Sequence, residues 1–395
     1  MNRRTFLAAA SVAFAASNLG FADEKKRRVA VIGHTGRGNY GHGLDVVWSK
    51  IPECELVAVA DGSAIGLPVE LAKLGITNGY GDYRKMLKEV RPEFVTVAPR
   101  HLDQHFDMAL AAIEAGVKGL YVEKPFCRSP HEADDLIAAC KKHGARIAVA
   151  HRNRYHPALK HVSGLIESGE LGQILEFRGR GLGDQRGGGE DLWVLGCHIM
   201  NLIHHFGGKP INCSGEMWQD GRPITRDDIK PGAEGLGPLA ANEVHARYEL
   251  ENGVVAYYDS KANDGTVKRG YCLQIVGSKG SVFIHIDRDP VAHFVPGNPF
   301  DVPTSPVRWI PITTAGVDKP EVDPIATEGV KNHVLGVRDL IAACDENRNP
   351  LCSVYDGAVT VEMICAVFAS HREQGRAVSF PLENRGHALA EWANS

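Results

Sequence analysis

The stretch Arg28-Val-Ala-Val-Ile-Gly-His-Thr-Gly-Arg-Gly38, followed by Leu56-Val-Ala-Val-Ala-Asp61, decides the fold. An apolar run enters a glycine-rich turn. A second apolar run then ends in a carboxylate about twenty residues later, the separation a dinucleotide-binding βαβ unit requires. Glycines let the backbone approach a pyrophosphate, and a helix after the turn would present its N-terminal N–H groups and positive dipole end to it. The turn residues Gly33, Thr35, Gly36, Arg37 and Gly38 are therefore candidate cofactor contacts. Asp61 can accept hydrogen bonds from ribose hydroxyls and would repel an extra phosphate, so NAD is expected over NADP. The competing reading is a tight βα turn with no ligand.

Outward from this unit, strands and helices alternate. Val69–Leu74 and Tyr83–Val90 read as helices, and Phe94–Ala98 as a buried strand. Gln104–Ala115 reads as helix, Gly119–Val122 as strand, Pro130–His143 as helix and Arg146–Ala150 as strand. Repeated βα units imply an α/β fold with a doubly wound parallel sheet, the Rossmann arrangement, assigned to residues 28–150. Ligands of such sheets sit beyond the carboxyl ends of the strands. Three strand ends thereby become site candidates: Asp61, Pro99-Arg-His101 and Glu123-Lys-Pro125. Lys124, directly after an apolar strand, can donate to a substrate hydroxyl, or take part in proton transfer if its pKa is lowered. Taken alone, it reads equally as a surface lysine paired with Glu123.

Residues 151–395 carry a different pattern. Glu243–Leu250, Val254–Asp259, Tyr271–Val276 and Ser281–Ile286 alternate apolar and polar residues, with Glu251-Asn-Gly253 and Gly277-Ser-Lys-Gly280 as hairpin turns. The glycine-rich loop Gly181–Asp191 leads into an expected amphipathic helix, Leu192 to Phe206, with His198, Asn201 and His205 on one face. A row of this kind suits a sugar pocket, in which imidazole removes a hydroxyl proton. Zinc on His198, His204, His205 and Glu190 is the competing reading. It lacks His-Glu-x-x-His spacing, so no metal is expected. His151-Arg-Asn-Arg-Tyr-His156 clusters donors at the domain junction, with Arg154 and Tyr155 as candidate substrate contacts or as parts of an interdomain network. Trp193, Trp218 and Trp309 are candidates for stacking on a sugar face or for core packing.

Composition bounds the partners. The chain has 395 residues, 44% hydrophobic and 23% charged, with a net charge of −4. Two domains fit that length, and nothing in the balance favours nucleic acid. Nine cysteines without a C-x-x-C pair are expected as buried thiols. Arg3-Arg4 precedes an apolar run, Phe6 to Phe21, too short and polar for a comfortable membrane span. Residues 1–22 are expected to form a twin-arginine signal, cleaved after Gly20-Phe-Ala22, sending an already folded protein to the periplasm with no stable membrane span in its mature form.

Together these residues resemble the Gfo/Idh/MocA oxidoreductases. The strand and glycine turn, Asp61, Val97-Ala-Pro-Arg-His101 and Glu123-Lys-Pro125 carry the resemblance, and it continues through Asn153-Arg-Tyr155, Leu171-Gly-Gln-Ile174, Gly196-Cys-His198, Tyr355–Ala369 and Val378–Leu382. The resemblance implies a Rossmann domain followed by an α/β domain with an open, mainly antiparallel sheet, often used in homo-oligomer contacts. It implies NAD or NADP, and oxidation or reduction of a secondary alcohol on a sugar or polyol. It places the family lysine on Lys124 and the active-site histidine on His198. Beside that resemblance, the strand ends make Pro99, Glu123 and Lys124 candidate cofactor contacts, and Arg154, Tyr155, Asp191 and Asn201 are the candidate substrate contacts. Two departures from the family pattern stand out. Thr35 replaces the middle glycine. Val194 and Asn201 stand where relatives often carry acids around the histidine, with Asp191 three positions before Val194 as a possible substitute. Two other outcomes fit the resemblance: a glycoside hydrolase that retains NAD and oxidises its sugar transiently, and a non-catalytic NAD-dependent sugar sensor.

Overall fold

The computed structural model describes residues 26–267 and 271–394. The expected signal segment 1–22 lies outside the described residues. No helix among the described residues is long and apolar enough to cross a membrane.

Strands β1 (Arg27–Gly33), β2 (Cys54–Asp61), β3 (Gly79–Tyr80), β4 (Phe94–Val97), β5 (Gly119–Val122) and β6 (Arg146–Val149) form one sheet in the order β3-β2-β1-β4-β5-β6. Every pair is parallel. Such a sheet is covered on both faces, which is why β4 and β5 are buried along their whole length. Helices α1 (Gly66–Leu74), α2 (Tyr83–Val90), α3 (His105–Glu114) and α4 (Pro130–His143) connect the strands. Local chemistry sets their ends: Ser129 caps α4 through the Glu132 amide with Pro130 at its first position, and Gly144 closes it in the left-handed region. The other face is covered partly by a late helix, Val334–Asp345, whose Val337, Leu340 and Ile341 pack with Val29, Val31 and Trp48.

One expectation about this domain fails. No α-helix follows the glycine turn. Residues 39–46 form consecutive turns that end in a 3₁₀ turn, Val47–Lys50. Gly41 and Gly43 adopt φ of 61° and 85°, left-handed values that no α-helix accommodates. The helix N-terminus expected to hold a pyrophosphate is therefore absent.

The second sheet is mixed and mostly antiparallel. At its centre, β7 (Ile174–Arg180) pairs parallel with Val255–Lys261 and antiparallel with Cys272–Gly277. Outward on one side lie Glu243–Leu250 and β8 (Pro210–Gln219); on the other lie Gly280–His285, Ala292–Pro296 and Ile310–Thr313. Alternation works as the sequence implies: Val244, Ala246, Tyr248 and Leu250 are buried while His245 and Arg247 are exposed. The helix Val354–Arg372 packs against the buried face and against α4.

The expected helix Leu192–Phe206 is two helices. After α5 (Leu159–Glu167), α6 (Gly189–Val194) stops at Leu195, and α7 (Gly196–Gly207) begins at once. The nine cysteines are all free thiols, most of them buried.

Candidate active site

The carboxyl ends of β1 and β2 open onto a cleft of ≈ 370 Å³ lined by Gly33, His34, Arg37, Asp61, Tyr83, Asp103, Gln104 and Met108, among others. The size suits one nucleoside half of a dinucleotide. Gly36, at φ 83°, has open space where a Cβ would stand, so its backbone is free to approach a ligand. Gly38 fits because its Cα faces the Arg100 and His101 backbone, which links the glycine turn to the end of β4 next to Pro99. These features fit a bound dinucleotide without the helix dipole.

Asp61 is placed differently from a free ribose acceptor. It is 1% exposed, and it accepts from the Thr35 amide (3.0 Å), the Thr35 hydroxyl (2.6 Å), the Tyr40 hydroxyl (2.7 Å) and the Ser63 amide (2.8 Å). Burial alone would raise its pKa, but the Thr35, Ser63 and Tyr40 hydrogen bonds hold it below the usual aspartate value. Thr35, the departure from the glycine pattern, supplies two of these donors. The carboxylate thus organises the turn, and it brings its negative charge to the wall of the cleft.

Glu123 and Lys124 stand at the end of β5. Glu123 is fully buried, accepts from the Lys124 amide at 3.1 Å and lies 3.3 Å from His42 Nδ1. Burial opposes its charge, but the His42 hydrogen bond and the positive charges of His42 and Lys124 prevail, holding it at about 2. The Lys124–Pro125 peptide is cis. Behind it, buried His105 has Nε2 2.6 Å from the Pro99 carbonyl and Nδ1 2.9 Å from the Pro125 carbonyl, tying two strand ends together. His105 carries no sequence signal, because a lone histidine at a helix start reads as surface.

The helix break delivers the rest. At Leu195 the chain leaves two carbonyls outside the regular ladder: Lys124 Nζ donates to Val194 O at 3.1 Å, and the Tyr271 hydroxyl to Leu195 O at 3.0 Å. Gly196 is required, since a Cβ there would stand 2.6 Å from the Tyr258 hydroxyl oxygen. A neutral backbone carbonyl at Val194 therefore meets the lysine, at the position where the family resemblance implies a side-chain acid. His198 follows on the first turn of α7, 8% exposed, with its Nδ1 buried and unpartnered. Its ring meets His151 edge to face, centroids 5.1 Å apart at 86°. Both ring nitrogens of His151 are buried without a partner. Burial, then the Lys124 charge, lowers His151 to about 3; burial, then His151 and Lys124, pushes His198 well below 6.5. Both rings are neutral at pH 7.

The expected substrate contacts are mostly committed elsewhere. Asp191 is wholly buried, accepting from the Ser260 hydroxyl (2.5 Å) and the Tyr258 hydroxyl (3.0 Å); burial outweighs these bonds and raises its pKa. It anchors the glycine-rich loop to the sheet and does not stand in for the absent acid. Asn201 is buried against Thr360 (3.2 Å), and the Tyr155 hydroxyl donates to Val149 O (3.2 Å). Arg154 lies 3.5 Å from Asp356. Trp193 is a core residue stacked on His387, whereas Trp309 stays half-exposed. His204, His205 and Glu190 do not gather around His198. Among the described residues the one His/Cys/Asp/Glu group compact enough to suggest a metal is His151, Cys197 and His198, and it includes no carboxylate.

Comparison with known proteins matches this layout. The profile described as "Oxidoreductase family, NAD-binding Rossmann fold" covers residues 27–151, and "Oxidoreductase family, C-terminal alpha/beta domain" covers 164–380. The levoglucosan dehydrogenase of Pseudarthrobacter phenanthrenivorans is 26% identical over 241 residues, 55% of this chain and 61% of that protein. The scyllo-inositol 2-dehydrogenase (NAD(+)) of Bacillus subtilis is 27% identical over 270 residues, 66% of this chain and 74% of that protein. In three dimensions, levoglucosan dehydrogenase in complex with NADH superposes with a TM-score of 0.72 at 19% identity, covering 90% of this chain and 100% of that one. An Agrobacterium radiobacter oxidoreductase in complex with NAD+, L-tartaric acid and magnesium gives 0.65 at 16% identity, covering 90% and 98%. Glycine turn, Glu123-Lys124-Pro125 corner and second sheet thus fall within two adjoining family profiles, and the chain belongs to the Gfo/Idh/MocA oxidoreductases.

Proposed function

We propose that this protein oxidises or reduces a secondary alcohol of a sugar or polyol. The observation that carries this reading is the buried corner that holds the Lys124 ammonium on Val194 O and the neutral His198 ring, with its Nδ1 unpartnered, within range of the lysine's charge. The relatives named for levoglucosan and scyllo-inositol support the substrate class. NAD, held by Gly33, Thr35, Gly36, Arg37 and Gly38 and limited by the Asp61 charge, would supply the hydride acceptor or donor.

Lys124 donates to the reacting oxygen and polarises it, with Val194 O holding the ammonium in place. His198, neutral because it is buried, takes the hydroxyl proton in the oxidation direction. Its protonated form is a strong acid in that setting, so the proton passes on to solvent. His151 keeps the His198 ring in its plane by edge-to-face contact. The test is a screen of sugars, polyols and glycosides with NAD and NADP, following reduced nucleotide and glycoside cleavage together. Reduced nucleotide accumulating with NAD establishes the dehydrogenase. Glycoside cleavage without net reduction would instead establish the NAD-retaining hydrolase. Binding of sugar without either would leave a sensor.

Export belongs to the same proposal. Arg3-Arg4 and the short apolar run support a folded passenger carried by the twin-arginine route to the periplasm. Fractionation of cells expressing Arg3→Lys/Arg4→Lys tests it: retention in the cytoplasm is expected, and unchanged export would exclude that route.

A further inference from the structure

The Rossmann sheet reverses its winding between β1 and β4, and a dinucleotide lies in the crevice between the loops that follow these two strands. One ion pair crosses from loop to loop. Arg37, after β1, places Nη2 2.5 Å from Asp103 Oδ2, after β4. Gln104 reinforces the crossing: its Nε2 donates to the Arg37 carbonyl at 3.2 Å, and its Oε1 lies 2.5 Å from His34 Nδ1.

The second domain sits on this crossing. Residues 220–242 form a strap between β8 and the strand Glu243–Leu250: Arg222–Pro223 pairs back on β8, and the chain beyond it leaves the large sheet. Lys230–Pro231 pairs with Pro238–Leu239, and the chain turns at Ala233–Gly235. Gly235 rests directly on the Asp103 carboxylate, and Glu234 lies 3.8 Å from Arg100. Beneath the turn, Asp103 Oδ1 is buried with no partner. Its carboxylate therefore depends on Arg37 for its main compensation, and leaving that pair exposes an already under-satisfied group to further cost.

We propose that Arg37–Asp103 is a latch closed across the nucleotide crevice and clamped by the 220–242 strap, so that it gates entry and exit of NAD. The latch rests on NAD occupying this crevice. A gate slows association and dissociation together, whereas a simple ligand contact changes mainly dissociation. It makes the bound nucleotide a long-lived resident, as both the transient-oxidation hydrolase and an exported enzyme without a soluble nucleotide pool require.

The experiment is stopped-flow NADH fluorescence on the full chain, comparing wild type with Asp103→Asn and Glu234→Gln. Opening the latch in Asp103→Asn is expected to raise both rate constants at least tenfold, with the equilibrium constant changed less than threefold. Glu234→Gln, on the exposed strap, is expected to shift both rates in the same direction by about threefold, and it serves if Asp103→Asn folds poorly. Slower dissociation with tighter binding in Asp103→Asn would show that Asp103 merely competes for Arg37 and would overturn the latch. Unchanged rates in both variants would overturn it as well. Failure of wild type to bind NADH at all is a different result, and it would overturn the assignment of the crevice itself.

Discussion

Two buried polar centres lie at carboxyl ends of the same parallel sheet, one after β2 and one after β5, and are built on opposite plans. At Asp61, Thr35, Tyr40 and Ser63 satisfy both carboxylate oxygens without any ligand. At the corner of Lys124, three ring nitrogens, two of His151 and one of His198, are buried with no partner. Burying a polar group without a hydrogen bond costs about 1–3 kcal/mol. A fold tolerates such groups where something else gains from them. The first centre holds a shape in advance; the second leaves hydrogen-bonding capacity unused, which is what the proposed chemistry would draw on. The difference separates residues that organise a site from residues that act in it, although both are polar and buried.

The comparison breaks most visibly at the acting centre. Lys124→Met and His198→Ala are each expected to cut turnover at least about 100-fold while NADH binding stays near wild type. Steady-state kinetics beside an NADH titration measures both. Near-native turnover in either variant would remove that residue from the mechanism.

Acid should unfold the protein through its reserved histidines well before its organised carboxylates protonate. His151 and His205 are lowered to about 3, and His204, His333 and His387 to about 4, all with burial as the leading cause. In the unfolded chain each titrates near 6.5. Below that value the unfolded state binds more protons than the native one, so stability falls as pH falls, from about 6.5 down through the folded values. Each histidine is expected to contribute about 1 kcal/mol of loss between pH 7 and 5.5. Urea midpoints at those two pH values check the sum, and equal midpoints would contradict neutral burial.

The organising centre should respond in stability first. Asp61→Ala strips the acceptor from four buried or half-buried donors and is expected to cost about 2–3 kcal/mol, read as a lower urea midpoint. An unchanged midpoint with lost nucleotide affinity would return Asp61 to a purely ligand-binding role. The smallest effect is expected at Tyr155. Its hydroxyl serves the carbonyls of Val149 and Cys352, so Tyr155→Phe should cost about 1 kcal/mol of stability and leave KM within a factor of two. A large rise in KM would place it against substrate after all.

Much of this architecture is legible in the chain itself. Period-two alternation and glycine turns mark the strands of the second sheet, and α2 and α4 fall where caps and apolar spacing put them. What escapes is set by single backbone choices. Leu192–Phe206 has continuous helical spacing, but the packing of Gly196 under the Tyr258 hydroxyl favours a break at Leu195. Spacing also put Asp191 and Asn201 near the site, yet local periodicity says nothing of which side chain reaches Ser260 or Thr360 across the fold. His151 reads from sequence only as part of a donor cluster at the domain junction, and His105 not at all, because their roles come from contacts distant in sequence. The signal available for His151 was its place directly after a strand end, where ligands of parallel sheets gather.

The turn segment 39–46, which stands where a helix was expected, touches both centres. Tyr40 donates to Asp61, the Gly41 Cα lies where a Cβ would be 2.6 Å from Glu123 Oε2, and His42 meets Glu123. For evolution this is a shared inheritance. A substitution there that reshapes the Asp61 side lies within two residues of the contacts to Glu123, so cofactor choice and the corner of Lys124 share one short stretch of backbone. Descendants that changed nucleotide would be expected to carry paired replacements, one in this segment and one at the Glu123 corner.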